Sequence, residues 1–277
     1  MFKEERHAEI LRYIEENGRI TTAVIQRKFS VGYGTAKNDI DELAERGLVQ
    51  RMHGGAIKLK QVGDMPCGLH DLSSKERCAT TNEDYLAIAK KAIELICSND
   101  VVYLTSASLG YIIARELPQE LALTVVTNST SIAEELRGRS GARVLLTGGE
   151  MEDNGNFYDS FALEMLRRIR FDKCFITSAA CTAAFGLSVQ TARSLELTRL
   201  VIENSRMVIG MYPSSKLGRD SIMQICPAKT MNVLVTDTNA SDSECSALEE
   251  LGVECIFATA PKSADRAEET ENTSPTT

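Results

Sequence analysis

Tryptophan is absent from the chain, and aromatic residues make up only 5% of it, so the composition does not suggest an aromatic-rich binding surface. No apolar stretch approaches the roughly 18 residues that a membrane-spanning helix needs, and no membrane partner is expected. The N-terminal segment MFKEERHAEI is charged and lacks the apolar core of a signal peptide, which argues against secretion. None of the eight cysteines belongs to a CxxC pair. Several stand inside apolar, strand-like runs, where Cys behaves as a small hydrophobe. Reduced thiols in a cytoplasmic protein are expected, without a disulfide framework, a metal site or a bound cofactor.

What is present supports more than one core. The chain has 277 residues with 43% hydrophobic content, so two domains are the starting expectation. Its formal charge of -8 speaks against a nucleic-acid partner only if the charge is spread evenly. It is not: from Arg19 to Lys60 eight Lys/Arg face four Asp/Glu, a local +4 that leaves -12 for the remainder. An acidic body with a basic head suits a protein whose head alone touches phosphate.

The head, residues 1–60, reads as a winged helix-turn-helix. Ile10, Leu11 and Ile14 share one face of a helix over Glu4 to Asn17, which Asn17-Gly18 stops. Thr21 or Thr22 can cap a second helix ending near Phe29. After a break at Ser30 to Gly34, a third helix is predicted from about Tyr33 to Arg46, with Ala36, Ile40, Leu43 and Ala44 on one stripe. Two extended pieces, Leu48 to Met52 and Ala56 to Leu59, are joined by His53-Gly54-Gly55 and form a wing. The start of the third helix is the part suited to a DNA major groove, which makes Tyr33, Thr35, Lys37 and Asn38 the candidate contacts. Lys37 suits a phosphate or guanine, Asn38 an adenine, and Thr35 a phosphate. Arg51 and His53 on the wing suit the backbone or minor groove. Periodicity alone leaves an ordinary small helical domain equally open.

Residues 61–81 mix Gly, Pro, Ser and charge and read as a linker, with room in it for a first irregular segment of the next domain. From 82 to 260 helices alternate with short apolar runs at 101–105, 123–128, 143–148, 173–178, 207–211, 232–237 and 254–259. That pattern predicts an α/β domain with a mostly parallel sheet, and such sheets bind ligands beyond the carboxyl ends of their strands. The loops there offer Thr105, Ser106 and Ser108 at a helix start, Asn128 at another, Gly148-Gly149, and Lys216, together able to cradle an anion. Taken singly, each also serves as an ordinary helix cap or turn. Residues 261–277 are acidic, rich in Ser and Thr, and read as a disordered tail.

The wing sequence GLVQRMHGGAIKL resembles the R-x-H-G-G-A ending of the winged helix in DeoR-family transcriptional regulators. The preceding segment is similar to that family's F-x-V-S-x-x-T-x-R-R-D-L-x-x-L core at Phe29, Val31, Thr35, Asp39, Leu43 and Gly47. Gly32 stands where the family has Ser, Lys37-Asn38 where it has two Arg, and Ile40 where it has Leu. These changes are expected to weaken phosphate binding and redirect base preference. In the second half TVVTNS, LLTGGE, FDKCFI, SSKLG and VTDT continue the resemblance. It implies a body like ribose-5-phosphate isomerase that senses a phosphorylated sugar through Thr105 to Ser108, Asn128, Gly148, Gly149 and Lys216. The body departs further from the family: its D-x-G-T-T loop is Thr105 to Leu109, a Gly is Thr177, an Asp is Pro213, and another Gly is Asp159. Two lost acids remove acceptors for sugar hydroxyls, and Asp159 would repel a phosphate if it pointed inward. An altered effector, a weakened pocket and a body kept for oligomerisation all remain open. The resemblance implies a repressor that binds a double-stranded operator as a homo-oligomer and answers to a small molecule. The alternative is a phosphosugar-isomerase-like enzyme with an accessory helical domain.

Overall fold

Ile10 and Ile14 lie one turn apart on α1 (Lys3–Asn17) and are buried with Ile20, Ile25, Ile40 and Leu43 in a single apolar cluster. The computed structural model describes residues 3–45, 48–52, 54–58, 72–79, 81 and 83–259, and the chain divides between Asp64 and Met65 into two units. In the first, β1 (Arg19–Thr21) leads into α2 (Thr22–Phe29) and α3 (Tyr33–Glu45). Thr21 caps α2 by accepting from the amide of Val24 at 3.3 Å, and Ser30 ends it in the left-handed region at φ 53°. The wing is β2 (Val49–Met52) antiparallel to β3 (Gly55–Lys58). β1, not foreseen in the sequence, pairs with the other edge of β3 and sets Ile20 beside Ala56. Three residues are too few for a period-2 signal.

The second unit carries a seven-stranded sheet in the order β13-β12-β10-β7-β4-β5-β6, parallel throughout. In chain order the strands are β4 (Val101–Leu104), β5 (Leu123–Thr127), β6 (Ala142–Leu146), β7 (Phe171–Ile176), β10 (Ser205–Met211), β12 (Val233–Asp237) and β13 (Glu254–Ala258). Successive side chains feed opposite faces. Cys174 and Ile176 of β7 join a core with α8 (Ser160–Arg167), α9 (Ala192–Glu203) and α10 (Asp242–Glu250). Phe175 joins the other core, under α5 (Glu83–Ile93), α6 (Ser108–Glu116) and α7 (Thr130–Leu136). Burial pushes the Cys174 and Cys181 thiols up to about 12, as expected of inert packing residues.

Two features correct the sequence reading. A second, antiparallel sheet of β8 (Ala180–Thr182), β9 (Gly186–Val189) and β11 (Met223–Cys226) stands beside the first. Strands of only three or four residues, β9 with Gly and Ser among them and β8 and β11 with Thr and Gln, escaped the hydrophobic pattern. Within the stretch read as linker, Ser74–Cys78 form a helix, α4, that packs against α6 and α7. Its start is a reciprocal cap: Ser73 accepts from the Glu76 amide at 3.3 Å, and the Glu76 carboxylate accepts from the Ser73 amide at 2.8 Å. The rest of the linker to residue 71, the tail at 261–277, and Arg46, Gly47, His53, Leu59 and Lys60 lie outside the described residues. Among the described residues no helix is long and apolar enough to cross a membrane, and no His, Cys, Asp and Glu group is placed to hold a metal ion.

Candidate functional site

In the head, the buried stripe of α3 is Ala36, Asp39, Ile40 and Leu43. The helical period therefore turns Tyr33, Thr35, Lys37 and Asn38 outward, and all four are exposed, Tyr33 by 59%. The four sequence-derived contacts share the outer side of the first half of α3. Arg51 is differently placed: its Nε lies 2.7 Å from Asp41 Oδ1, so the guanidinium braces β2 against α3. That pair is a partly exposed one, worth about 0–1 kcal/mol, and its carboxylate competes with any phosphate. His53 lies outside the described residues.

Asp39 fixes the pose of α3. Its carboxylate accepts from Arg6 Nε at 2.6 Å and Nη2 at 2.8 Å, and His7 Nε2 donates to it at 3.1 Å. All three side chains are at least nine-tenths buried. Burial on its own would raise the Asp39 carboxyl, but the hydrogen bonds and charges of Arg6 and His7 outweigh it and hold the group below its ordinary value.

In the body, a cavity of about 260 Å³ opens at the carboxyl ends of β4, β7 and β10, where a parallel sheet is suited to bind ligands. Thr105, Ser106 and Ser108 line it from the β4–α6 loop, and Lys216 from the segment after β10. Ala107 stands at the N-cap of α6 and offers no side-chain cap, so the first amides of that helix have no side-chain acceptor there. The loop comes this close to α6 because Gly110 has no side chain; a Cβ there would stand 1.9 Å from the Thr105 carbonyl oxygen. Arg77 of α4 also lines the cavity, donating to the carbonyls of Leu72 at 2.7 Å and of Ser106. The Lys216 ammonium has no hydrogen-bond or ion-pair partner among the described residues. Burial, and then the charges of Arg219 and Arg77, push its ammonium down to about 8. No Asp or Glu belongs to the described lining. A cavity with two cations, hydroxyls and no carboxylate is built for an anion.

Three predicted ligand residues stand elsewhere. Asn128 is fully buried behind the cavity wall, accepting from the Tyr103 hydroxyl at 2.8 Å and donating to the Phe157 carbonyl at 3.0 Å. It positions Tyr103, which does line the cavity. Gly148 and Gly149 are exposed and do not line it. Gly149 is glycine because its φ is +125° and a Cβ would meet the Asp159 carboxylate at 2.2 Å. That carboxylate caps α8, accepting from the amides of Ala162 at 3.0 Å and Glu150 at 2.6 Å, and those bonds hold its pKa below the ordinary value. Asp159 is thus a helix cap and not an acid in the ligand lining. Arg77, Tyr158 and Thr177 were missed as lining residues. The Ser73-x-x-Glu76 capping pattern was the available signal for α4, and hence for Arg77.

The description "DeoR C terminal sensor domain" matches residues 81–238, and "DeoR-like helix-turn-helix domain" matches residues 6–62. The HTH-type transcriptional regulator GolR of Listeria innocua is 30% identical, over 86% of this chain and 91% of its own. The HTH-type transcriptional repressor GlcR of Bacillus subtilis is 29% identical, over 92% and 96%. The glycerol-3-phosphate regulon repressor of Escherichia coli is 26% identical, over 86% and 92%.

Proposed function

The chain belongs to the DeoR family of DNA-binding transcriptional regulators, and from that premise we propose that it is a repressor released by a phosphorylated sugar metabolite bound in the body's cavity. The observation that carries the ligand class is Lys216, an unpartnered cation beside Arg77 in a lining without carboxylates. A phosphate monoester supplies the missing negative charge and the acceptors for the uncapped start of α6. The Escherichia coli relative is named for the regulon of a phosphorylated metabolite, which agrees in class. The same lining offers no carboxylate as a general base, so it does not favour the isomerase alternative.

On the DNA side, Tyr33, Thr35, Lys37 and Asn38 enter the major groove, with Lys37 on a phosphate and Asn38 on an adenine edge. The protein acts in the cytoplasm as a homo-oligomer, whose symmetry is matched by paired half-sites in a double-stranded operator. The test is fluorescence anisotropy on the promoter beside the chain's own gene. Lys37→Ala should weaken binding across sequences and reduce the salt slope by about one. Asn38→Ala should narrow the gap between operator and scrambled DNA by about 1–3 kcal/mol. Folded protein that fails to bind this promoter at low salt contradicts the assignment of the operator, and unchanged slopes contradict the residue roles.

A further inference from the structure

Five buried side-chain polar atoms lack a hydrogen-bond partner among the described residues: Thr147 Oγ1, Asn156 Oδ1, Thr177 Oγ1, Ser221 Oγ and Thr236 Oγ1. Of these residues only Thr177 lines the cavity. It is 8% exposed and stands one residue beyond β7, the strand between β4 and β10. Leu104 pairs with Phe175 and Gly210 with Ile176, so Thr177 emerges between the serine-rich loop after β4 and the segment after β10 that carries Lys216. Nearby lining hydroxyls are already engaged. Ser178 Oγ donates to the Ala180 carbonyl at 3.0 Å and lies 2.7 Å from the Tyr212 hydroxyl; Thr191 and Ser194 bond each other at 2.8 Å. A buried hydroxyl left without a partner is costly, and here it lies in the wall of a site already equipped for an anion.

We propose that Thr177 is a specificity-determining residue whose hydroxyl, closed off from the cavity in the ligand-free arrangement, turns into it about χ1 to bond a hydroxyl of the sugar whose phosphate is held by Lys216 and the start of α6. The proposal rests on the reading of the cavity as a phosphosugar site. It divides the ligand's recognition into two parts: cations and helix amides hold the phosphate, and Thr177 reads the carbohydrate. A site built to bond a hydroxyl discriminates strongly against ligands that lack it, because its own polar group is then left unpaired.

The test uses the full chain as wild type, Thr177→Val and Thr177→Ser, with ribose 5-phosphate, fructose 6-phosphate and inorganic phosphate as probes. Val keeps the shape and removes the hydroxyl. Without ligand, Thr177→Val should melt at the wild-type temperature or about 2–4 °C higher, since an unpartnered group is lost. At least one sugar phosphate should raise the melting temperature of wild type. By calorimetry its affinity should fall about 5- to 30-fold in Thr177→Val, the loss expected for one hydrogen bond left unmade. Thr177→Ser should stay within about threefold of wild type, and inorganic phosphate should bind all three proteins alike. Sugar-phosphate affinity unchanged in Thr177→Val overturns the proposal and leaves the phosphosugar reading standing. Wild type unmoved by any sugar phosphate overturns both. A ligand-free Thr177→Val that melts well below wild type shows that the hydroxyl has a structural partner, and overturns the proposal as well.

Discussion

Asp39→Asn is expected to unfold the head under conditions in which the body remains folded. The substitution leaves Arg6 and His7 buried with their hydrogen-bond acceptor neutralised. Breaking one partner of a buried charged pair costs about 3–5 kcal/mol. A unit of some 60 residues holds only about 3–9 kcal/mol of stability in total, so about a third or more of it would be lost. The effect should be local, because the head has its own apolar cluster, Ile10 through Ala56, separate from the two cores of the body. Thermal denaturation followed by circular dichroism and proteolysis checks it: the head should become protease-sensitive at temperatures where the wild-type head resists cleavage, while the body's transition stays in place. The pH dependence has a definite sign. A carboxyl held below its ordinary value stabilises fully above the unfolded-chain pKa of about 3.9 and loses that contribution as pH falls through the lower folded value. The wild-type head should therefore weaken on acidification below about pH 4, and Asp39→Asn should not show that component. A variant head that melts with wild type would mean that the triad does not secure α3.

Lys216→Met is expected to lower affinity for a sugar phosphate about 10- to 150-fold, the equivalent of the 1.5–3 kcal/mol assigned to a hydrogen bond with a charged group. Met keeps most of the stem and removes the ammonium, so the cavity wall is retained. Without ligand the variant should be at least as stable as wild type, since the half-buried Lys216 ammonium stands near the like charges of Arg219 and Arg77 and has no counter-charge among the described residues. The ammonium is pushed down to about 8, so it is charged at neutral pH and loses its proton as pH rises through that value. Wild-type affinity should fall between pH 7 and 9, softened because a bound phosphate favours the charged form. The Met variant should lack that fall. Calorimetry across this range gives both results, and wild-type affinity and pH profile in the variant would remove Lys216 from the site.

How legible this was in the sequence depends on how local each signal is. The seven parallel strands announce themselves as continuous apolar runs because both faces are covered, and all seven lie where those runs predict them. The outward face of α3 follows from Ala36, Ile40 and Leu43 at helical spacing. What failed to show depends on partners distant in sequence. Arg6 and Asp39 are 33 residues apart, and neither has a local pattern that marks it as buried. Asn128 reads like any strand-end polar residue until Tyr103 and Phe157 are seen to satisfy it. Asp159 looked like an acid near the ligand, and only the amides of Glu150 and Ala162 reveal a cap. Arg77 was hidden because a five-residue helix in a polar stretch has no hydrophobic period, although its capping box was written in Ser73 and Glu76.

The measurement that bears most directly on the account is the affinity of the full chain for its own promoter with and without a sugar phosphate that stabilises it thermally. If the cavity governs the head, saturating ligand should weaken promoter binding about 5- to 150-fold, the range of a 1–3 kcal/mol coupling. Lys216→Met should remain bound at the same ligand concentration. A sugar phosphate that binds the body tightly yet leaves promoter affinity unchanged would contradict the account.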